Sequence, residues 1–318
     1  MSTEALLGAL RAASEATRLR ILALVSRTEL TVSELTRILD QSQPRVSRHL
    51  KLMCEAGLLQ RTQQGSWAFY RLADRGTGSD TARALVGLLD EEHADTSRDL
   101  QRLALVKAEH VEEAASYFRE NAAKWDAIRG LYMANERVEQ AMLAAVGDQV
   151  GDHLDVGTGT GQIIRLLGER VRRALGIDGS REMLSVARAN LESANLAHCQ
   201  VRQGDLMALP VPDGAMDLVT IHHVLHFLAD PAGAVTEAAR TLRAGGTALI
   251  VDFAPHNIES LRDEHAHRRL GFADGEIRGW CHAAGLEDIQ LQQFDDSARL
   301  GKQALAVCLW SATKSTVN

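Results

Sequence analysis

The sequence predicts a small α+β head followed by a larger α/β body. Three observations carry this reading. Helical periodicity gives way to two short β-rich runs by Leu72; a glycine-rich turn, Gly157 to Gly161, directly follows a short apolar strand; and strands alternate with helices from there to Asp252. The length of 318 residues fits two domains at about 150 residues each.

Charge divides the chain the same way. The formal total is −7, but residues 1–75 hold 11 Lys/Arg against 7 Asp/Glu, while residues 76–318 hold 24 against 35. A basic head on an acidic body suits a nucleic-acid contact confined to the head. Apolar runs such as Thr247–Val251 fall far short of the ~20 residues that span a bilayer. Glu4, with no basic stretch before Leu6, argues against a signal peptide. Cys54, Cys199, Cys281 and Cys308 are scattered without a CxxC pair, which suits a reducing compartment. A cytoplasmic protein is expected.

Within the head, a first amphipathic helix closes through Leu19, Leu22, Ala23 and Val25. Thr31-Val-Ser-Glu34 then reads as a capping box opening a second helix, with Val32, Leu35, Ile38 and Leu39 on its apolar face. After a turn of about three residues, Ser42 is a candidate cap for a third helix, and Pro44 is tolerated in its first turn. Val46, Leu50 and Met53 form its buried face and Gly57 ends it. The outward set is then Gln43, Arg45, Ser47, Arg48, His49 and Lys51, cationic and donor-rich as a major-groove helix requires. The runs Leu58–Thr62 and Trp67–Leu72 form a hairpin, with Arg61 and Arg71 directed at phosphates. A merely solvated helix face is the competing reading of the third helix alone; the short turn before it and the hairpin after it argue for a helix-turn-helix.

Ala16-Thr-Arg-Leu-Arg-Ile-Leu22, Ser42-Gln-Pro-Arg-Val-Ser-Arg-His-Leu-Lys51, Glu55-Ala-Gly-Leu58 and Tyr70-Arg-Leu72 resemble the ArsR-type winged-helix regulators. The resemblance implies a winged helix-turn-helix over residues 1–76 that binds a double-stranded DNA operator as a homodimer. It does not extend to metal sensing. Leu30–Leu39 contains no cysteine, and Glu91-Glu-His93 lacks partners near Ala104 and Lys107, neither of which can ligate.

Residues 77–146 read as a helical connector, with Ala84, Leu85, Leu88, Leu89, Leu100, Leu103, Leu105 and Val106 as its apolar positions. By analogy it supplies the dimer interface. Tyr117, Phe118, Trp125 and Tyr132 add an aromatic stretch that reads either as core packing between domains or as a lid over a ligand.

The body, residues 147–318, begins at the strongest motif. Leu154-Asp-Val-Gly-Thr-Gly-Thr-Gly161 places glycines where backbone must turn tightly and approach a ligand. No Gly-Lys-Ser/Thr follows, which excludes a phosphate-cradling P-loop. Asp155 would repel a pyrophosphate but could take an amino group. Asp178 ends a second strand, 21 residues past Gly157, where an acid accepts ribose hydroxyls. Asp205 can accept from an adenine amino group, between Met183 and Leu206 as apolar walls. A fourth strand, Met216–Ile221, a helix, Pro231–Leu242, and a fifth strand, Gly246–Asp252, complete an open doubly wound sheet.

Leu154–Gly161, Gly176-Ile-Asp178, Gly204-Asp205, Leu209–Asp217 and Leu242-Arg-Ala-Gly-Gly246 together resemble class I S-adenosylmethionine-dependent methyltransferases. The resemblance implies a Rossmann-like, mostly parallel seven-stranded sheet. It implies that S-adenosylmethionine or S-adenosylhomocysteine binds with its methionine part on Asp155 and Gly157–Gly161, its ribose on Asp178 and its adenine on Asp205. Thr158, Gly179, Gly204 and His222 complete the expected lining. Ile289–Phe294 and Ala304–Trp310 are expected as its antiparallel hairpin.

Methyl transfer needs mainly alignment, and at most a base for the acceptor. His222 or His223, in His222-His-Val-Leu-His226, is the candidate base. The Asn/Asp-Pro-Pro-Tyr/Phe tetrapeptide of nucleic-acid amino-methyltransferases is absent, and so is the three-cysteine pattern of arsenite methyltransferases. His265 and His267, expected on different faces of one helix, and His256 give no shared metal site by that spacing, and none is expected. The fusion itself resembles S-adenosylhomocysteine-responsive regulators. Two functions stand at this point: a transcriptional regulator with an adenosyl effector, and a small-molecule methyltransferase carrying an ArsR-type head.

Overall fold

The computed structural model describes residues 3–64, 67–73, 76–90, 93–121, 135–147, 149–295 and 305–316. The chain divides into two compact units, Met1–Glu112 and Glu113–Asn318.

The first unit runs α1 (Thr3–Ala13), α2 (Ala16–Val25), β1 (Leu30–Thr31), α3 (Val32–Leu39), α4 (Gln43–Glu55), β2 (Leu59–Gln64), β3 (Trp67–Leu72), α5 (Thr77–Gly87) and the start of α6 (Ala94–Asn121). The capping box forms as expected: Thr31 Oγ1 accepts from the Glu34 amide at 3.3 Å, and Glu34 accepts from the Thr31 amide at 2.7 Å. Ser42 occupies the cap position of α4, but its side chain makes no capping bond, so that expectation is corrected. Pro44 in the first turn and the φ of +68° at Gly57 bracket this helix. β3 pairs antiparallel with both β2 and the two-residue β1, giving the hairpin its backing. One core fills the unit, with Leu22, Leu35, Val46, Leu50, Met53 and Tyr70 joined by Leu103 and Val106 of α6.

The second unit carries α7 (Asn135–Val146), β4 (Val150–Val156), α8 (Gln162–Leu167), β5 (Val171–Asp178), α9 (Arg181–Ser193), β6 (Cys199–Gln203), β7 (Met216–His222), α10 (Pro231–Thr241), β8 (Leu242–Phe253), α11 (Ser260–His265), α12 (Asp274–Ala283), β9 (Leu286–Phe294) and β10 (Val307–Lys314). Their seven strands form one sheet in the order β6-β5-β4-β7-β8-β10-β9. β4 to β8 pair in parallel, while β10 lies antiparallel between β8 and β9.

Alternate residues of the strands enter different cores. Val219 and Ile250 belong to one apolar cluster, their neighbours Leu218 and Leu249 to another. Period-two alternation therefore buries both faces, and the strands read as continuous apolar runs because both faces are covered. Strand order reverses between β4 and β7, so the carboxyl ends of these two strands open the crevice where such sheets hold ligands. His267 lies beyond α11, after Ala266 in left-handed conformation, so His265 and His267 do not share a helix.

Candidate functional site

Two candidate sites stand out, one in each unit. On α4, Gln43, Arg45, Ser47, Arg48 and Lys51 are exposed, while Val46, Leu50 and Met53 are buried. This helix thus presents a donor-rich face by simple helical alternation. His49 is the exception and corrects the expected outward set: it is buried, with Nδ1 3.9 Å from Glu15 Oε2. Desolvation holds its imidazole below the ordinary histidine value. Of the hairpin arginines, Arg61 is exposed and touches Gln63. Arg71 is half-buried, 3.5 Å from Glu29, and its guanidinium also donates to Gln60 at 3.3 Å. It braces the hairpin against the loop before β1 and does not extend outward, a second correction.

In the second unit, the glycine turn follows β4. Gly157, Gly159 and Gly161 have φ of +71°, +52° and +79°, a region other residues enter at a cost. The turn is tied to the next strand: the amides of Gly157 and Thr158 donate to the carbonyl of Ile177 at 2.8 and 3.1 Å. A side chain at Gly157 would place its Cβ 2.4 Å from Val224, in the segment after β7. The turn therefore packs against the element that carries the histidines.

Asp178 stands at the carboxyl end of β5. Its Oδ2 accepts from the Gly159 amide at 2.8 Å and its Oδ1 from the Ser180 amide at 2.9 Å. Burial nevertheless pushes its carboxyl above the ordinary value, with these amides working the other way. Each oxygen retains a lone pair for a further donor. No atom comes within 4 Å of a Cβ built on the neighbouring Gly179, so the space beside the carboxylate is open. A pair of vicinal hydroxyls fits such a carboxylate.

Asp155 lies beneath the turn and is buried, with Oδ1 accepting from the Thr220 hydroxyl at 2.6 Å. That hydroxyl lies 2.8 Å from His153 Nε2. Because Thr220 uses its proton on Asp155, His153 donates through Nε2, and burial lowers its pKa to about 3, keeping it neutral. Asp155 is thus held by a buried relay between β4 and β7. Asp205 is exposed, its Oδ1 accepting from the Met207 amide at 2.8 Å; Met183 is buried and Leu206 packs at the core edge. The Gly204 amide donates to the carbonyl of Asp178 at 3.1 Å, tying the residue after β6 to the end of β5.

His222 ends β7 and His223 follows it; both are buried, their rings 4.5 Å apart edge to face. Nothing in the sequence pattern assigns a role to His226 or Asp252, yet His226 Nδ1 lies 2.7 Å from Asp252 Oδ1 in the interior. The available signal was an acid at the end of the apolar run Ala248–Val251, adjoining the strand that leads to the histidines. Of the aromatic stretch, Phe118 contacts Phe227 edge to face at 4.8 Å. Trp125 and Tyr132, and the side chain of Tyr117, lie outside the described residues.

Residues 15–61 match the family described as bacterial regulatory protein, arsR family, and residues 154–250 match the methyltransferase domain family. The uncharacterized methyltransferase YcgJ of Bacillus subtilis (strain 168) is 28% identical over 147 residues, 43% of this chain and 58% of its own length. An uncharacterized 37.1 kDa protein in transposon TN4556 of Streptomyces fradiae is 40% identical over 112 residues, 34% of this chain and 32% of that protein. The chain thus spans between about a third and three fifths of these curated relatives. Among solved structures, a SAM-dependent methyltransferase from Thermotoga maritima shares the fold with a TM-score of 0.50 and 19% identity, over 63% of this chain and 99% of that one. Among the described residues, no helix is long and apolar enough to cross a membrane.

Proposed function

We propose that this chain, which joins an arsR-family helix-turn-helix to a class I methyltransferase domain of the S-adenosylmethionine-dependent class, is a dimeric transcriptional regulator with an adenosyl effector. One observation carries the reading: an exposed cationic recognition helix and an open carboxylate beside a glycine turn occur in one polypeptide. The helix-turn-helix region takes an operator through α4, with Arg45, Arg48 and Lys51 on phosphates and base edges and Arg61 on the flanking backbone. Exposed Leu88 and Leu105, on the connector, suit burial against a second copy. The expected setting is the cytoplasm.

The methyltransferase domain binds S-adenosylmethionine or S-adenosylhomocysteine as effector. Asp178 takes the ribose hydroxyls, the Gly157–Gly161 turn lies along the amino-acid portion above Asp155, and Met183, Asp205 and Leu206 receive the adenine. Thr158, Gly179, Gly204 and His222 line the remainder. An effector shifts DNA affinity only if it binds the competent and incompetent states unequally. α6 is the candidate carrier of that difference, since this one helix supplies Leu103 and Val106 to the core of the first unit and Phe118 to the aromatic contact on Phe227 in the second.

A second reading is favoured by the buried histidines at the carboxyl end of β7: a small-molecule methyltransferase with an ArsR-type head. Bound S-adenosylmethionine would supply the methyl group, and His222 or His223 would take the acceptor proton. Titrating the purified protein with each ligand while following binding to its own promoter, at fixed salt, separates the two. A ligand-dependent change in DNA affinity supports the regulator. Unchanged affinity with either ligand rejects it, and turnover of labelled methyl groups into a metabolite establishes the enzyme.

A further inference from the structure

At the carboxyl ends of β7 and β8 the second unit gathers His223, His226, Asp252, His256 and His267. Candidate ligand atoms of His223, His226 and Asp252 lie within 4.8 Å of one another, and all three residues are buried. Asp252 is fully buried, with a relative exposure of 0%, and its ion-pair partner among the described residues is His226. Its Oδ1 also accepts from the Phe253 amide at 2.8 Å, but Oδ2 has no hydrogen-bond partner among the described residues.

Two further buried atoms are in the same condition: Nε2 of His256 and Nδ1 of His267. Their rings border the cluster. The His267 ring lies 4.1 Å from that of His226, tilted by 32°, and Phe253 lies 5.7 Å from His267 and 5.9 Å from His256. Arg269, close by in sequence, pairs with Glu276, and Arg262 with Glu259. A buried carboxylate needs a cation or a metal, and buried polar atoms need partners. The backbone adds a further sign: His223 is held at φ +55°, a strained conformation for a non-glycine residue, of the kind that clusters at functional sites. The amides of Arg268 and Arg269 both donate to the carbonyl of His226, fixing its main chain.

We propose that His223, His226 and Asp252 bind a divalent cation of the zinc class, with His256 and His267 along its edge. Two imidazoles and a carboxylate form a three-ligand donor set of the kind that leaves a fourth zinc position open. Imidazole donors select zinc and its neighbours over magnesium and calcium, which require oxygen. In a tetrahedral site ligand atoms stand about 3.3 Å apart, so small rotamer adjustments of these three side chains close the site. The location is distinct from the head, where the sequence supplies no ligand set, and the inference stands whether the chain is a regulator or an enzyme.

The test uses the full-length protein, stripped with a chelator and dialysed. Zn²⁺ is titrated against a chromophoric competitor, and Co²⁺ is added as a spectroscopic substitute. One Zn²⁺ per chain is expected, with intense visible Co²⁺ bands of a four-coordinate site. His223→Asn, a residue type that accepts positive φ, and Asp252→Asn should each weaken Zn²⁺ binding at least 100-fold, while His282→Gln, at an exposed histidine, should leave it unchanged. Thermal unfolding of each variant reports folding; if Asp252→Asn does not fold, His223→Asn carries the comparison. Failure of the native protein to bind one equivalent, or full-strength binding by a folded His223→Asn variant, overturns the proposal.

Discussion

The amide of Gly159 donates to the carboxylate of Asp178 at 2.8 Å, so the glycine turn and the acid that ends β5 are one structural unit. Removing the acid therefore loosens the turn as well as the proposed ribose contact. Asp178→Ala should lower affinity for S-adenosylhomocysteine at least 10-fold, measured by calorimetry, and leave ligand-free DNA binding unchanged. Loss of DNA binding in this variant would contradict the division of labour between the units.

The same carboxylate sets a pH dependence. Burial raises its pKa above the ordinary value, so in the ligand-free protein the proton leaves later than from an exposed aspartate. Ribose hydroxyls donate to the ionised form. Affinity should thus be full at neutral pH and fall as pH drops through the raised pKa, beginning above the ordinary carboxylate range. A ligand affinity that stays flat down to pH 4 would remove Asp178 from the ribose site.

Gly157 offers a purely steric test. Its φ is +71°, and an added Cβ would meet Val224 at 2.4 Å. Gly157→Ala should cost about 1–3 kcal/mol of stability, from strain and overpacking. It should also weaken the adenosyl ligand, because Val224 or the turn has to move. Chemical denaturation and calorimetry on the same variant read both effects.

Features that rest on residues close together in the chain are legible in the sequence. The capping box Thr31–Glu34, the three glycines and the acid at the end of β5 depend on residues a few positions apart or on a fixed strand–turn–helix spacing. Where a distant partner decides, local pattern is silent. His49 lies at a position that helical alternation leaves at the border of the polar face, and the fold brings it within 3.9 Å of Glu15, the residue that caps α2. Arg71 sits in a basic hairpin pattern that suggests a phosphate contact, but β3 places it beside Glu29. The pairing of His226 with Asp252 joins residues 26 apart, brought together because β7 and β8 run in parallel and end side by side. No periodicity in either segment encodes that neighbourhood.

At the opposite end of the sheet, Asp152 accepts from Arg173 at 2.9 Å through both oxygens, with Arg172 at 2.9 Å and Arg243 at 3.3 Å. Hydrogen bonding to Arg173 is the main cause that brings its pKa from 3.8 to about 2. A lowered folded pKa contributes stability present above pH 3.8 and lost as pH falls toward about 2. Screening of the exposed arginines reduces the effect, so Asp152→Asn should cost ~1–2 kcal/mol at pH 7. The gap between native and variant proteins should close in denaturation curves taken near pH 2.

DNA recognition is tested at Arg48, exposed on α4 opposite the buried Val46 and Leu50 face. Arg48→Ala should lower operator affinity by about 1–3 kcal/mol if it reads a base edge, with specificity relaxed at that position. If it meets a phosphate, binding weakens evenly across sequences and the slope of log affinity against log salt shrinks by about 0.9 for each such contact. Either outcome should spare adenosyl binding, because Arg48 belongs to the first unit and Asp178 to the second. The proposed dimer enters the same assay. Leu105 is 63% exposed on α6, and Leu105→Glu should leave the chain folded while halving the mass of the sedimenting species and cutting operator affinity steeply, since each half-site is then bound by a single copy. A Leu105→Glu protein that still sediments as a dimer would place the interface elsewhere.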